Sequence, residues 1–215
     1  QSDRYEHKGF CGETAKVRIA RAELHMWEEP CISGTEGSGT VFFSGCCLKC
    51  CFCQNYEISA EGKGFSLPNK TCRHFSAASI KGRKQHKLVN PTHFVPQIIK
   101  ALDLCKDKLT IPWSITAAVM KSTKRWSFFV AMCRYFYPTL NILILHFRIN
   151  IPKPQTILKT PLLQYIKWRS FRQATFDEKG IMQSGTIVRH LVLPTHRKDS
   201  IKLMEWLAKI LPKTK

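Results

Sequence analysis

Five of the chain's ten cysteines fall within eight positions, in the run Gly45-Cys46-Cys47-Leu48-Lys49-Cys50-Cys51-Phe52-Cys53. Within it, the spacing Cys46-x3-Cys50-x2-Cys53 puts three thiolates on one short loop. Three such donors can hold three corners of a [4Fe–4S] cube and leave the fourth iron free for a small molecule. Fully ligated clusters normally take four cysteines and carry electrons; an open iron points to chemistry on a bound ligand. Cys47-x2-Cys50 and Cys50-x2-Cys53 are also zinc-knuckle spacings, but a second ligand pair is not evident. Disulfides fit less well, because no signal peptide is visible and the other cysteines are scattered. Cys47 and Cys51 are extra to the three-cysteine pattern and are read as incidental.

The elements around the loop sharpen this reading. Thr40-Val41-Phe42-Phe43 is a β-branched and aromatic run preceded by Gly34, Gly37 and Gly39, which predicts a strand entered from a turn. The cysteines follow that strand directly. With Phe52 just before the third cysteine, the loop resembles that of the radical S-adenosylmethionine (radical SAM) superfamily. The block from Leu24-His25-x-Trp27-Glu28-Glu29-Pro30 to Gln54-Asn55-Tyr56-Glu57-Ile58-Ser59 resembles the branch related to pyruvate formate-lyase activating enzymes. The likeness is dense over residues 10–65.

The resemblance implies an α/β fold, an incomplete parallel (β/α) barrel forming a single radical SAM domain over residues 1–215. It implies a [4Fe–4S] cluster on Cys46, Cys50 and Cys53, with S-adenosylmethionine chelating the open iron. One electron from the reduced cluster would then cleave the cofactor to methionine and a 5′-deoxyadenosyl radical for hydrogen abstraction. Phe52 would pack against the adenine side, and Asn90, Thr92 and His93 would lie near the methionine end. Arg189 and His190 would lie near the cofactor or substrate mouth, although a strand-borne Arg can equally pair with a carboxylate. The implied partners are a glycyl-radical-type protein substrate and an electron donor such as flavodoxin or ferredoxin, in the cytoplasm. His25, Glu28 and Glu29 form an acid–base cluster beside Trp27, which as a solvated turn needs no catalytic role. Gly9-Phe10-Cys11-Gly12 resembles the end of a cysteine-rich leader whose earlier cysteines are absent; Cys11 is expected to be a free thiol and the chain N-terminally truncated.

The charge is unusually distributed. Windows 62–102 and 108–176 contain no Asp or Glu and hold 8 and 11 Lys or Arg, which accounts for the whole net charge of +19. Exposed faces of soluble enzymes normally mix both signs. A span across residues 126–147 would bury Arg134 at a cost of about 2.5–3.5 kcal/mol and would contain Pro138, so no membrane crossing is expected. A rival reading is a basic zinc-binding protein gripping nucleic acid, supported by Lys81-Gly82-Arg83-Lys84-Gln85-His86-Lys87 and by Trp126 and Trp168 among cations. Those windows contain no recognised nucleic-acid module. A shift of codon register explains them better. Degenerate codons for Ile115–Trp126 then permit a glycine–tyrosine turn, and those for Val130–Asn141 a strand resembling the family's middle region. Residues 66–86 and 115–172 are therefore read as out of frame and the barrel as disrupted in its middle, with poor stability and little activity expected.

Two further elements are expected. Val89–Phe94 resembles the second barrel strand and its exit loop. A helix follows, with Thr92 as N-cap, Pro96 in the first turn, a stripe of Val95, Ile98, Ile99 and Leu102, and Lys106 and Lys108 at its end. Near the C-terminus, Gly185–Pro194 predicts a late barrel strand. Asp199 would cap a final helix with an apolar stripe of Ile201, Met204, Leu207 and Leu211, widened by Leu203 and Ile210 towards Trp206.

Overall fold

The structure is a computed structural model that describes residues 3–47, 50–66, 85–104, 113–116, 140–141, 174–185 and, with short gaps, 187–210. Strand β1 (Arg18–His25) leads through the short helix α1 (Pro30–Ser33) into β2 (Ser38–Phe43). The cysteine loop follows, then α2 (Tyr56–Ser59) and β3 (Phe65–Ser66). Next come β4 (His86–Val89), a 3-10 turn (Pro91–His93), α3 (Val95–Asp103), β5 (Trp113–Thr116) and β6 (Leu140–Asn141). The hairpin β7 (Thr175–Phe176) and β8 (Met182–Ser184) and helix α4 (Arg197–Ile210) complete the described elements.

The main sheet is mixed, in the order β3-β1-β2-β4-β5-β6. β1 runs antiparallel to β2, whereas β2, β4, β5 and β6 pair in parallel. Parallel neighbours are normally covered on both faces, so their strands lack one solvated side. β2 accordingly is buried at all six residues, two more than its apolar run alone predicts.

Register sorts the side chains onto two faces, because successive residues of a strand point to opposite sides. Val41 lies beside Leu88, which lies beside Ile115, and these share a face with Phe43 and Trp113. Helix α3 covers this apolar face: Phe94, at its N-cap, meets the Phe43 ring at 5.9 Å, and Val95, Ile98, Ala101 and Leu102 are buried. The opposite face carries Ser38, Thr40, Lys87 and Ser114, none more than 1% exposed. Ser38 and Thr40 share a 3.0 Å hydrogen bond there. The second face is polar yet dry.

Several expectations are corrected. The N-cap of α3 is Phe94, not Thr92, because Pro91–His93 is already wound into the 3-10 turn. Ala101 takes the buried place expected for Ile99, which is only partly covered. Of the strand expected over Gly185–Pro194, Thr186, Val188, Leu191 and Leu193 lie outside the described residues; just before it, β8 ends at Ser184 and pairs antiparallel with β7. Gly185 has φ 127°, and a Cβ there would meet Ala174 Cα at 2.5 Å, so the chain leaves the strand at a residue only glycine fits. Helix α4 begins at Arg197, which places Asp199 inside its first turn, not at its cap. Ile201 and Met204 are 46% and 44% exposed, so the expected stripe is not buried at those positions. Lys106, Lys108 and Leu211 lie outside the described residues, as do all of the two windows expected to be out of frame except Ser66, Gln85, His86, Ile115, Thr116, Leu140 and Asn141. No described helix is long and apolar enough to cross a membrane.

Candidate metal centre on the cysteine loop

The cysteine loop leaves the C-terminal end of β2 and is fixed at both ends. At its root, Ser44 N–H donates to Arg18 O at 3.1 Å, and the Ser44 hydroxyl donates to Lys63 O at 2.8 Å. Gly45 sits at φ 81°; a Cβ there would lie 2.5 Å from Glu13 Cγ and 2.7 Å from Cys11 O. That approach brings the N-terminal segment under the loop, where Cys46 N–H donates to Cys11 O at 3.2 Å. At the far end, Cys53 N–H reaches Cys50 O at 3.3 Å, and the chain turns into α2 through Ser59 N–H to Asn55 O at 2.8 Å.

The next parallel strand grips the same root. Asn90 ends β4 in the left-handed conformation at φ 56°, which asparagine tolerates better than most residues. Its side-chain amide donates to Gly45 O at 2.7 Å. His93 is 8% exposed, and its Nε2 hydrogen-bonds Ser44 O at 2.7 Å. The N-terminal segment adds a further tie, with Arg4 donating to the carbonyls of His93 and Thr14. Two of the residues expected near the cofactor therefore hold the loop's entry. Thr92, between them in the turn, is partly exposed.

Cys46, Cys50 and Cys53 are all partly buried, whereas Cys51 is exposed. The Ser59 hydroxyl donates to Cys53 Sγ at 3.2 Å, a contact suited to a thiolate, since hydrogen bonds to cluster sulfurs help set reduction potential. Phe52 is 46% exposed on the loop's outer side. The three thiols do not converge: among the described residues no three His, Cys, Asp or Glu side chains gather as a metal site. The physical reason is ordinary for a metal-organised loop, because a ligand set rarely assembles before the metal that draws it together. The donor set itself, three accessible thiols on one anchored loop, fits a three-thiolate cluster.

Two acidic groups near the root behave differently. Glu13 is 2% exposed; burial raises its pKa, and Arg18, at 3.3 Å, only partly offsets this. Cys11 is drawn the other way, to about 6, first by a hydrogen bond from the Cys47 thiol, against the opposing effect of burial. Cys11 is a free thiol, as expected, and its hydrogen bond to Cys47 is a contact the sequence did not suggest.

On the polar sheet face, the acid–base cluster expected from His25, Glu28 and Glu29 assembles around Lys87. Lys87 is 1% exposed and its ammonium contacts the Glu28 carboxylate. Arg189 bridges Glu28 and Glu29, and His25 Nε2 lies 3.6 Å from Glu28. Burial pulls the Lys87 pKa down, and Glu28 restores only part of it. For Glu29, burial pushes up but hydrogen bonds and charge from Arg189 outweigh it, leaving its pKa below the usual carboxylate value. Arg189 thus takes the carboxylate-pairing role. His190 Nε2 bonds Ser200 in α4 at 2.8 Å, and burial lowers its pKa. The signal for Lys87 was available: a lysine on a parallel strand, alternating with His86 and Leu88, has to find a carboxylate. It was hidden inside a basic run.

No protein-family profile matches the chain. No solved structure matches it either. An uncharacterized protein of Methanocaldococcus jannaschii is 30% identical over 122 residues, covering 52% of this chain and 35% of that protein. The chain thus spans about a third of the length of that relative, which carries no assigned activity.

Proposed function

We propose that this chain is a radical SAM protein of the activating-enzyme-like branch, with an incomplete parallel (β/α) barrel and a [4Fe–4S] cluster on Cys46, Cys50 and Cys53. The observation that carries the reading is the loop's position. Three cysteines at this spacing leave the C-terminal end of a buried parallel strand, and the neighbouring parallel strand clasps the loop through Asn90 and His93. Ligands of open parallel sheets bind outside the carboxyl ends of the strands, so both strands deliver polar groups to the appropriate end.

Cys46, Cys50 and Cys53 would hold the cluster, which when bound would supply one-electron reductive cleavage of S-adenosylmethionine for hydrogen abstraction. The protein's own residues bind and orient. Asn90 and His93 fix the loop root, so the cysteines start from one backbone position. Ser59 donates a hydrogen bond to the Cys53 sulfur and orients it. Phe52, exposed on the loop, would cover the adenine side, and Thr92, in the turn between Asn90 and His93, belongs to the methionine end. His190 is assigned to the cofactor mouth by family resemblance alone; its contact with Ser200 lies in α4. A glycyl-radical-type protein substrate, a flavodoxin or ferredoxin donor and a cytoplasmic location belong to the same proposal.

The test is iron and sulfide uptake under argon. The full chain should take up about four irons and about four sulfides with a broad brown absorbance. Single serine substitutions at Cys46, Cys50 or Cys53 should abolish this, while Cys51→Ser should not. Uptake indifferent to Cys46, Cys50 and Cys53, or colourless retention of zinc, would reject the proposal.

A further inference from the structure

Cys11 and Cys47 are the two thiols near the loop root that the proposed cluster does not use. A tight turn presents Cys11, with Gly9 N–H to Glu13 O at 2.9 Å and Gly12 N–H to Gly9 O at 2.8 Å. The residue is 4% exposed. Its carbonyl accepts from Cys46 N–H at 3.2 Å, and its sulfur is hydrogen-bonded to the thiol of Cys47, the very next residue. Cys47 is itself partly exposed. One sulfur is therefore reachable from solvent and the other lies behind it, on backbone segments already in contact. Disulfides need such closeness, because Cα atoms more than about 7 Å apart cannot be bridged without backbone movement.

We infer that Cys11 and Cys47 are a redox-sensitive pair that forms a reversible disulfide when a hydroperoxide reaches the cluster-free loop. The partly exposed Cys47 attacks one peroxide oxygen through its sulfur, becomes a sulfenic acid and releases the first water (from hydrogen peroxide). The Cys11 sulfur then attacks the Cys47 sulfur, forming the S–S bond and expelling the second water. Two thiols give up two electrons and two protons, and one peroxide is reduced to two waters. The bond pins Cys47 to the N-terminal turn and holds the adjacent Cys46 at the loop root. A loop so tied cannot draw its three ligands around a metal group. That consequence rests on the cluster reading; the pairing itself does not.

The experiment uses the full chain, purified without oxygen and stripped of metal by a chelator. It is treated with one equivalent of hydrogen peroxide, its remaining thiols are alkylated, and it is digested with trypsin without reduction. The expected product joins the peptide 9–16 to the peptide 22–49, with the loss of two hydrogens. Cys47→Ser should abolish the link and Cys46→Ser and Cys31→Ser should keep it. The same oxidation in concentrated urea should scatter the pairing, which ties the selectivity to the fold even if a variant folds poorly. Dithiothreitol should reverse the link and, where the reduced chain binds iron and sulfide, restore uptake that the oxidised chain has lost. Cys11 found alkylated while loop cysteines pair among themselves, or a link that survives Cys47→Ser, would overturn the inference. A correctly linked chain that takes up no cluster even when reduced would instead sink the proposed function and leave the redox pair standing.

Discussion

Glu28→Gln is the substitution that should most damage the described core. Glu28 lies between the Lys87 ammonium and the Arg189 guanidinium, with its side chain 7% exposed and that of Lys87 1% exposed. Removing its charge leaves Lys87 buried with no carboxylate in contact. Breaking a buried pair by neutralising one partner costs about 3–5 kcal/mol, and the charge of Glu29 nearby argues for the lower end. At about 1.4 kcal/mol per tenfold, about 3 kcal/mol lowers amide protection in β2 and β4 by about 150-fold. Hydrogen exchange is the suitable assay, because it reports on those strands by themselves. Glu28→Gln combined with Lys87→Met removes both charges at nearly constant volume and leaves Arg189 with Glu29. It should recover protection to within about tenfold of the parent, as a coupled pair requires. A Glu28→Gln chain protected like the parent, or a double variant as damaged as the sum of its single substitutions, would refute the reasoning.

Other outcomes follow from the same geometry. Gly45→Ala should cost about 1–3 kcal/mol, because φ 81° and a Cβ 2.5 Å from Glu13 are both adverse; faster trypsin cleavage at Lys49 reads it. Asn90→Ala loses the bond to Gly45 O and the residue that tolerates φ 56°, and should cost about 1–3 kcal/mol in chemical unfolding. Ile98→Ala, 0% exposed under the sheet, should cost about 2–5 kcal/mol by the same measurement, whereas Ile99→Ala should cost clearly less. Acid should also act through Glu29. Its folded pKa lies below its unfolded one, so its stabilisation is present above about pH 4.5 and is lost as pH falls through the folded value. Glu29→Gln should flatten that limb of a stability–pH profile.

In the N-terminal third, β2 and the loop after it were readable because their signals agree, whereas β1 was not anticipated. The β-branched and aromatic run of β2, the glycines before it and the cysteines after it name one strand and one loop. The stripe of α3 was equally plain, but its start was not. Pro91 and Pro96 both permit a helical first turn, and only packing of Phe94 on Phe43 decides which turn is α-helical. The ion-pair cluster was half legible. His25, Glu28 and Glu29 are close in sequence, but their cations come from 59 residues (Lys87 to Glu28) and 160 residues (Arg189 to Glu29) away, where spacing carries no information. The Cys11–Cys47 contact was hidden for the same reason. The hairpin of β7 and β8 was not anticipated, because Thr175–Phe176 and Met182–Ser184 are too short to stand out by composition.

Electron paramagnetic resonance of the reconstituted, dithionite-reduced chain tests the vacant corner most directly, recorded with and without S-adenosylmethionine. Three thiolates with one open iron predict a [4Fe–4S] signal whose g values shift when the cofactor binds. A cluster signal indifferent to S-adenosylmethionine, or no cluster with Cys46, Cys50 and Cys53 intact, would contradict the account.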